Sequence, residues 1–454
     1  MRHEQQTDVQ HACQLEPQGT PGRIAILHIC KNISRSARCY QPGGLFLFTV
    51  MIRSILRSYR ISFSGLSRET WLLSVVVLIN RCGYMAVPFM SMYITQSLHR
   101  SISDAGLVIT LFGVGSVLGA MAAGFLTDKI GFRPVQVASL IISGFLFVLF
   151  AHVNDFDVLC LLTVVLSFFV EAFKPANNAA IASYSSRENM TRSYALNRLA
   201  TNIGFGFGTS VGGMLAAIDY HLLFWVDGVV YVAAGLLIVA LLPAAKQYRN
   251  PQSTSSKLTA SVSPWKDAFF MRFMAMVTLY MMAFVVIFRL VPVYWKEHMH
   301  IGEATIGILI GMNGVIIALF EMVFIQMLGN RRPDFHYIII GILLTTVSFF
   351  SLLMPGLPAL VAGAFAVVFF TIGEMLTMPY ISTIVINRTT ELNRGKYSAA
   401  YQLSWSVAQV LGPASCGFVA EKWGYNALWI LLIVITISSA LGFKLLYRRN
   451  LSVG

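Results

Sequence analysis

The chain carries, between two long apolar runs, the segment Gly124-Phe125-Leu126-Thr127-Asp128-Lys129-Ile130-Gly131-Phe132-Arg133-Pro134. Its glycines, Gly124 and Gly131, allow close backbone approach and a tight turn. Asp128 suits the positive N-terminus of a neighbouring helix, and Lys129 and Arg133 suit the lipid headgroup region. The segment therefore predicts a short connection between two membrane-spanning helices.

Similar apolar runs recur along the whole chain. Of its 454 residues, 56% are hydrophobic and 12% are charged, with a mean hydropathy of +0.68. This composition lies far outside that of soluble globular domains. A membrane span needs about 20 apolar residues, and the sequence offers twelve such stretches. They cover roughly 71–95, 104–126, 135–153, 158–182, 195–217, 222–242, 267–295, 303–328, 337–354, 358–382, 398–420 and 426–446.

The basic residues are distributed unevenly between the segments that connect consecutive spans. We call each connecting segment a gap and number it by the span that precedes it. The even-numbered gaps hold thirteen basic residues, namely Lys129, Arg133, Arg187, Arg192, Lys246, Arg249, Lys257, Lys266, Arg331, Arg332, Arg388, Arg394 and Lys396. The odd-numbered gaps hold three, Arg100, Lys296 and Lys422. Because cytoplasmic loops keep positive charge, we expect a multi-pass protein of the inner (plasma) membrane with both termini in the cytoplasm. This topology accounts for the net charge of +13, and no nucleic-acid partner is expected.

The spans fall into two sets of six around a polar linker. We expect an N-terminal bundle over 51–242, a cytoplasmic linker over 243–266, and a C-terminal bundle with a short basic tail over 267–454. Residues 1–50 contain only a short apolar run, so we expect a disordered or non-native extension there. The halves match at a shift of 204 residues: Pro175 meets Pro379, Arg192 meets Lys396, Gly208-Thr209 meets Gly412-Pro413, and Gly213 meets Gly417. Such repeats are typical of secondary transporters.

The segment 124–134 resembles the G-x-x-x-D-[RK]-x-G-x-[RK] loop of the major facilitator superfamily, with every defining position filled. Together with twelve spans and a break after the sixth, the resemblance covers about 65–450. It implies an all-α membrane protein of two six-helix pseudo-repeats. It also implies that Gly124, Asp128, Lys129, Gly131 and Arg133 form a gating loop that holds span 2 against span 11 in one conformation. For Lys129 and Arg133, a purely topological role is the alternative.

A glycine-rich segment in span 5, 204–213, is similar to the family's G-x-x-x-G-P-x-x-G-G segment, which is often associated with export. Thr209 stands in place of the proline. Small residues at this spacing also pack transmembrane helices closely. Helix packing is therefore an equal interpretation of Gly204, Gly208, Gly212 and Gly213.

Several ionisable residues fall within the spans, where a charge needs a partner or a cavity. Arg198 and Asp227 lie near span ends and favour structural roles, and Glu321 suits either a conformational latch or solute contact. The residues on spans 1, 4, 7 and 10, which line the central cavity in the superfamily, are the candidates for proton coupling or solute binding. They are Arg81, Tyr84, Glu171, Lys174, Asn178, Arg289 and Glu374.

Arg81 and Glu171 are expected at matching depths, about 15 and 16 Å from the cytoplasmic end at 1.5 Å per residue. We therefore predict an Arg81–Glu171 coupling centre in which Lys174 competes for the carboxylate, with Glu374 as a second site. A structural ion pair between Glu171 and Lys174, which share a helical face, is the alternative.

Two subfamily signatures are met only in part. Residues 80–84, with Arg81 and Tyr84, resemble the E-R-F-x-Y-Y region of proton-coupled oligopeptide symporters. Those symporters also keep a lysine on span 4 and a glutamate on span 10, where this chain has Lys174 and Glu374. Val77 and Asn80 replace the symporters' paired glutamates. The R-x-x-Q-G signature of the drug antiporters is absent from span 4.

The sequence therefore predicts a monomeric secondary transporter that moves a small solute by alternating access, with protons as partners and no metal or cofactor. Proton-coupled efflux of a hydrophobic or amphipathic compound is the first hypothesis, and uptake of a peptide, sugar or other metabolite is the alternative. A transport-inactive sensor is a further class. No enzyme is expected, because the histidines lie mostly in the N-terminal tail and the loops.

Overall fold

The computed structural model describes residues 65–186, 188–243, 263–328, 331–354, 356–389 and 394–451, and these are helical throughout apart from short connections. The extension predicted over 1–50 and most of the predicted linker lie outside the described residues. The α-helices are α1 (Arg68–Cys82), α2 (Ala86–Met92), α3 (Ile102–Ile130), α4 (Phe132–Phe150), α5 (Phe156–Tyr184), α6 (Met190–Ala216), α7 (Tyr220–Leu241), α8 (Ala268–Arg289), α9 (Val291–Glu297), α10 (Glu303–Leu328), α11 (Asp334–Leu353), α12 (Ala359–Asn387) and α13 (Arg394–Leu451). A π-helical turn, Tyr93–Ser97, extends α2.

Ten segments of the described residues are long and apolar enough to cross a membrane. The last of them includes Gly424, whose φ of 82° breaks α13 into two helices. Helix α6 is not among the ten, because glycines and small polar residues lower its hydropathy along the helix and arginines lie in its first half. The all-α fold predicted from the sequence is confirmed, while the count of twelve spans stays a prediction.

The first span, predicted as continuous over 71–95, is broken between α1 and α2. Asp227 of α7 accepts hydrogen bonds from the backbone N–H groups of Met85 (3.0 Å) and Ala86 (2.8 Å). A buried carboxylate that satisfies the free N–H groups at the start of a helix stabilises that start. Asp227 thus has the structural, capping role that its position near a span end favours.

Glycines bring the two halves of the chain into backbone contact. A Cβ built at Gly307 of α10 would lie 2.5 Å from the carbonyl oxygen of Thr209 and 2.7 Å from the Cα of Gly213 in α6. A Cβ at Gly106 of α3 would lie 2.8 Å from the carbonyl oxygen of Pro413 in α13. Thr209 and Pro413 are the residues that the 204-residue shift relates. The α6–α10 and α3–α13 contacts are therefore counterparts within the repeat.

The two ends of the helix bundle differ. We call the end with the connections at 131, 185–189 and 388–389 the basic face, and the other end the opposite face. At the opposite face three contacts join the N-terminal and C-terminal helices: Gln96 to Glu297 (3.0 Å), the Ser103 N–H to Glu421 (2.8 Å), and Tyr220 to Glu303 (3.2 Å). At the basic face, Ser67 bonds the Tyr184 carbonyl and Arg388 bonds Asp267, each within one half. The protein is therefore closed at the opposite face.

Candidate functional site

The centre of the site is an ion pair on α5. The Nζ atom of Lys174 lies 2.6 Å from Oε2 of Glu171, one helical turn away, as their spacing predicts. The Glu171 side chain is 9% exposed, whereas that of Lys174 is 49% exposed. Arg81 and Arg289 also contribute positive potential at the Glu171 carboxylate. Glu171 is thus a buried carboxylate with one direct cationic partner and two more distant ones.

Arg81 does not pair directly with Glu171, contrary to the predicted coupling centre. Its guanidinium carbon lies 5.1 Å from the ring centroid of Tyr84, which places the cation over the aromatic face. Lys174, which is predicted to compete for Glu171, holds the carboxylate in this structure. The reason is proximity, because a residue three positions away on the same helix reaches Glu171 without any movement between helices.

Arg289 of α8 reaches across to the first span. Its Nη1 donates to the carbonyl oxygen of Val87 at 2.7 Å, and its Nη2 lies 3.5 Å from the Tyr84 hydroxyl. The guanidinium group also lies over the ring of Phe112, 5.3 Å from its centroid. Tyr84 therefore brings Arg81 from the N-terminal helices and Arg289 from the C-terminal helices to one place.

Glu374 lies on α12 and is held by a neutral partner. The side-chain amide of Asn313 in α10 donates to Oε2 of Glu374 at 2.9 Å and to the hydroxyl of Thr371 at 3.0 Å. The sequence reasoning missed Asn313, although a side-chain amide in the middle of an apolar span is the signal that could have found it. Glu374 therefore lies in the C-terminal half with a hydrogen-bond donor and no direct cationic partner among the described residues.

Arg198 and Glu321 form a second ion pair, at 2.5 Å, that joins α6 to α10. The Glu321 side chain is 9% exposed and that of Arg198 is 45% exposed. The pair links the N-terminal and C-terminal helices beside the glycine contact. This geometry agrees with the latch interpretation of Glu321, and it gives Arg198 its structural partner.

Aromatic side chains line the middle of the C-terminal half. Phe288 of α8 lies 5.7 Å from Phe205 of α6 and 5.4 Å from Phe370 of α12, measured between ring centroids. Phe284 lies 5.6 Å from Phe288 and 5.6 Å from Trp405. We call these five residues the aromatic cluster. Its member Phe288 precedes Arg289 in α8. The cluster was not identified from the sequence, because its members come from four separate helices.

The predicted gating loop lies at the basic face. Asp128 and Lys129 are exposed at the end of α3, and a Cβ at Gly124 or Gly131 would meet no atom within 4 Å. Gly131 has a φ of 89°, a conformation that favours glycine. Arg133 donates to the Val239 carbonyl oxygen at 2.8 Å. The two glycines thus have open space around them, whereas Arg133 is held against α7.

The glycines of the segment 204–213 lie in helix contacts. A Cβ at Gly204 would lie 2.6 Å from the Cβ of Arg81, and one at Gly208 would lie 2.6 Å from the Cys82 carbonyl oxygen. Gly212 faces the Cβ of Met85 in the same way, at 2.9 Å. Three of the four predicted packing glycines therefore face the first span, and Gly213 faces α10.

Exposure increases along α5 toward the basic face. Glu171 is buried, Lys174 is half exposed, and Asn178 is exposed, although all three lie within one long helix. The side chain of Asn177, by contrast, is buried and donates to Asn197 of α6 at 3.3 Å. The polar residues of α5 are therefore buried at Glu171 and more exposed closer to the basic face.

These features define a class of protein: a multi-pass helical membrane protein with a polar site enclosed between two sets of helices. The family model for the Major Facilitator Superfamily matches residues 72–413 and 336–452. The chain therefore belongs to the major facilitator superfamily of membrane transporters, as the segment 124–134 indicates.

The similar proteins include transporters of different kinds. A Na(+), Li(+), K(+)/H(+) antiporter of Planococcus maritimus is 23% identical over 416 residues, which cover 82% of this chain and 93% of the antiporter. The quinolone resistance protein NorA of Staphylococcus aureus is 23% identical over 58% of this chain and 67% of its own. The crystal structure of the nucleoside transporter NupG matches with a TM-score of 0.70 at 14% identity, over 84% of this chain and 99% of that one. The likeness to NupG supports the fold alone.

Proposed function

We propose that this chain is a proton-coupled secondary transporter that exports a hydrophobic or amphipathic compound by alternating access. The observation that carries the proposal is the ion pair between the buried Glu171 and the half-exposed Lys174, which lies within the electrostatic reach of cations from both halves. A buried carboxylate whose cationic partners can change is a site where protonation and conformation can be linked. The antiporter and the resistance protein among the similar proteins agree with exchange and with export.

The two conformations of the proposal follow from the contacts at the closed opposite face. The basic face is the predicted cytoplasmic side, and the closed opposite face is held by contacts of Glu297, Glu303 and Glu421. We therefore assign this structure to the state that admits solute from the cytoplasm. Opening the opposite face requires the α6–α10 and α3–α13 contacts to separate there.

The proposed proton site is Glu171. In the state described, Lys174 keeps the carboxylate charged through a direct ion pair. Protonation of Glu171 would release Lys174, because a neutral carboxyl group no longer attracts the ammonium. Glu374, which has only the amide of Asn313 as a direct partner, is the second proposed proton site in the other half.

The test uses the purified protein in proteoliposomes with an imposed pH gradient and two amphipathic probes, ethidium and anilinonaphthalene sulfonate. Wild type should move at least one probe against its gradient, with proton movement in the opposite direction. Glu171→Gln, which mimics the protonated carboxyl group, should abolish proton-driven accumulation while exchange of the probe stays measurable. Asp157→Asn is the matched control, since Asp157 is an exposed carboxylate in the first turn of the same helix.

The outcomes separate the hypotheses. If Glu171→Gln still concentrates the probe in response to the gradient, Glu171 has only a structural role. If probe and protons move in the same direction, the protein is a symporter and uptake is the correct function. If neither probe moves in wild type that is folded and inserted, export of amphipathic compounds is wrong.

A further inference from the structure

Two arginine side chains of the site lack a direct carboxylate partner among the described residues. Arg81 lies over the ring of Tyr84, and Arg289 contacts the hydroxyl of the same tyrosine. Among the described residues, neither guanidinium group has a carboxylate oxygen within 4.0 Å. The Nε atom of Arg81 is buried and has no hydrogen-bond partner. Both arginines therefore have unused hydrogen-bonding capacity.

The carboxylates in this region are already engaged elsewhere. Glu171 is paired with Lys174 at 2.6 Å. Asp227 accepts from the backbone N–H groups of Met85 and Ala86, at the start of α2. In the other half Glu374 accepts from Asn313. Each acidic group thus has its own partner, and none of these interactions involves Arg81 or Arg289 directly.

Uncompensated arginines at membrane depth are costly, and arginine cannot lower that cost by losing its proton. A lysine or a histidine could become neutral there, whereas a guanidinium group stays charged. Its planar set of N–H donors fits the two oxygens of a carboxylate, sulfonate or phosphate group. An anionic solute would supply the missing charge for both arginines at once.

The surroundings indicate the rest of the solute. Phe288 precedes Arg289 in sequence and belongs to the aromatic cluster, whose ring centroids lie 5.1 to 5.7 Å apart in the pairs Phe284–Phe370, Phe284–Phe288 and Phe205–Phe288. Such rings favour an apolar, flat partner in stacked or edge-on contact. The cluster supplies apolar rings on the same helix, α8, that carries Arg289.

We infer that Arg81 and Arg289 form an anion-binding site, and that the solute is an organic anion. Its anionic oxygens lie between the two guanidinium groups, and its apolar ring contacts the aromatic cluster. The inference rests on the proposed function as a transporter of amphipathic compounds and narrows it to one charge class. Because α1 and α8 belong to different halves, the bound anion joins the halves. It also competes with the Val87 carbonyl oxygen for Arg289.

The test compares three ligands that share one ring and differ in charge: naphthoate, naphthylmethanol and naphthylmethylammonium. Their binding to the purified full-length protein in detergent is measured by isothermal titration calorimetry, without a proton gradient. Wild type should bind naphthoate at least about tenfold more tightly than the neutral alcohol, and the ammonium least tightly. Arg81→Gln and Arg289→Gln should each weaken naphthoate binding about 10- to 100-fold, the usual contribution of a hydrogen bond to a charged group.

Binding of naphthylmethanol should change by less than about threefold in both variants, because it lacks the charge that the arginines recognise. Arg100→Gln is the control for loss of a positive charge, since Arg100 is exposed and lies over the ring of Phe156 at 4.9 Å. It should leave the binding of all three ligands unchanged. If a glutamine variant does not fold, Arg81→Lys and Arg289→Lys replace it, and loss of the two-pronged donor should still reduce naphthoate binding.

The inference is overturned if wild type does not bind naphthoate, binds all three ligands equally, or prefers the ammonium. It is also overturned if the preference for naphthoate survives in the Arg81→Gln, Arg289→Gln double variant. These measurements need neither protons nor transport. A protein that selects naphthoate through both arginines but shows no proton-driven movement therefore retains the anion site and refutes only the proposed coupling.

Discussion

Replacing Gly213 with alanine should open the face of the protein that is closed in this structure. The added Cβ would lie 2.5 Å from the carbonyl oxygen of Glu303 and 2.7 Å from the Cα of Gly307. Both neighbours are backbone atoms of α10, so no side-chain rotation can make room. The two helices must separate for the methyl group to fit.

The magnitude follows from the cost of overpacking. An extra methyl group in a close contact costs about 1–3 kcal/mol, which corresponds to about a 5- to 150-fold change in an equilibrium constant. Only the closed state bears this cost, because the contact is absent once the opposite face opens. Helix α6 itself is not weakened, since alanine favours a helix over glycine by about 1 kcal/mol.

Electron–electron double resonance between two spin labels measures the effect. The labels are placed at Arg100 and Lys422, which are exposed at the opposite face, in a background without the six native cysteines. Wild type should give mainly the short distance of the closed face, and Gly213→Ala should add a longer one. Gly302→Ala is the matched control, because a Cβ at Gly302 would meet nothing within 4 Å.

The reasoning is refuted if Gly213→Ala leaves the distance distribution unchanged in folded protein. It is equally refuted if Gly302→Ala changes the distribution as much, since the effect would then not come from the α6–α10 contact. A fall in melting temperature without a change in distances would mean that the closed state tolerates the strain.

Two further predictions concern charges at the basic face. Asp128→Asn should slow turnover while equilibrium solute binding changes little. The reason is that a carboxylate docked at a helix N-terminus stabilises one conformation by about 0.3–2 kcal/mol. A large binding defect with unaltered cycling would contradict this prediction. Burial alone would raise the pKa of Asp267, but hydrogen bonds from Arg388 and the Phe270 N–H and the Arg388 charge hold the pKa below its usual value. The Asp267–Arg388 pair therefore stabilises the fold fully at pH values above about 3.9, the pKa of aspartate in the unfolded chain. This stabilisation is lost as the pH falls through the lower pKa that Asp267 has in the folded protein. Asp267→Asn keeps an N-cap acceptor and removes only the charge. It should therefore lower the melting temperature near neutral pH and lower it progressively less in acid. An equal loss at every pH would show that charge is not the cause.

Local features of the fold could be predicted from the sequence. Residues 124–134 identify the family, and the three-residue spacing of Glu171 and Lys174 predicts their contact, because both depend on neighbours along the chain. The break in the first span could not be predicted, since it depends on Asp227 reaching Met85 from 142 residues away.

The same distinction applies to the site. The depths of Arg81 and Glu171 match in a simple count of residues, yet Arg81 contacts Tyr84, three residues further along the same span. Depth alone does not tell which way a side chain faces. Arg289 is recognisable as a charge within a span, but its contacts with Val87 and Tyr84 span more than 200 residues. Residue types in the site are therefore predictable, and their partners across helices are not.

The polar character of α6 has a consequence for how the protein is made. This helix is not among the ten segments that are apolar enough, by length and composition, to cross a membrane, and Gly204 and Gly208 fit it to the first span, which is synthesised earlier. Its other partners, Gly307 and Glu321 of α10, leave the ribosome about 100 residues later. We therefore expect α6 to pack against the first span before α10 is synthesised, and a nascent chain stopped before residue 303 would lack the Glu321 partner of Arg198.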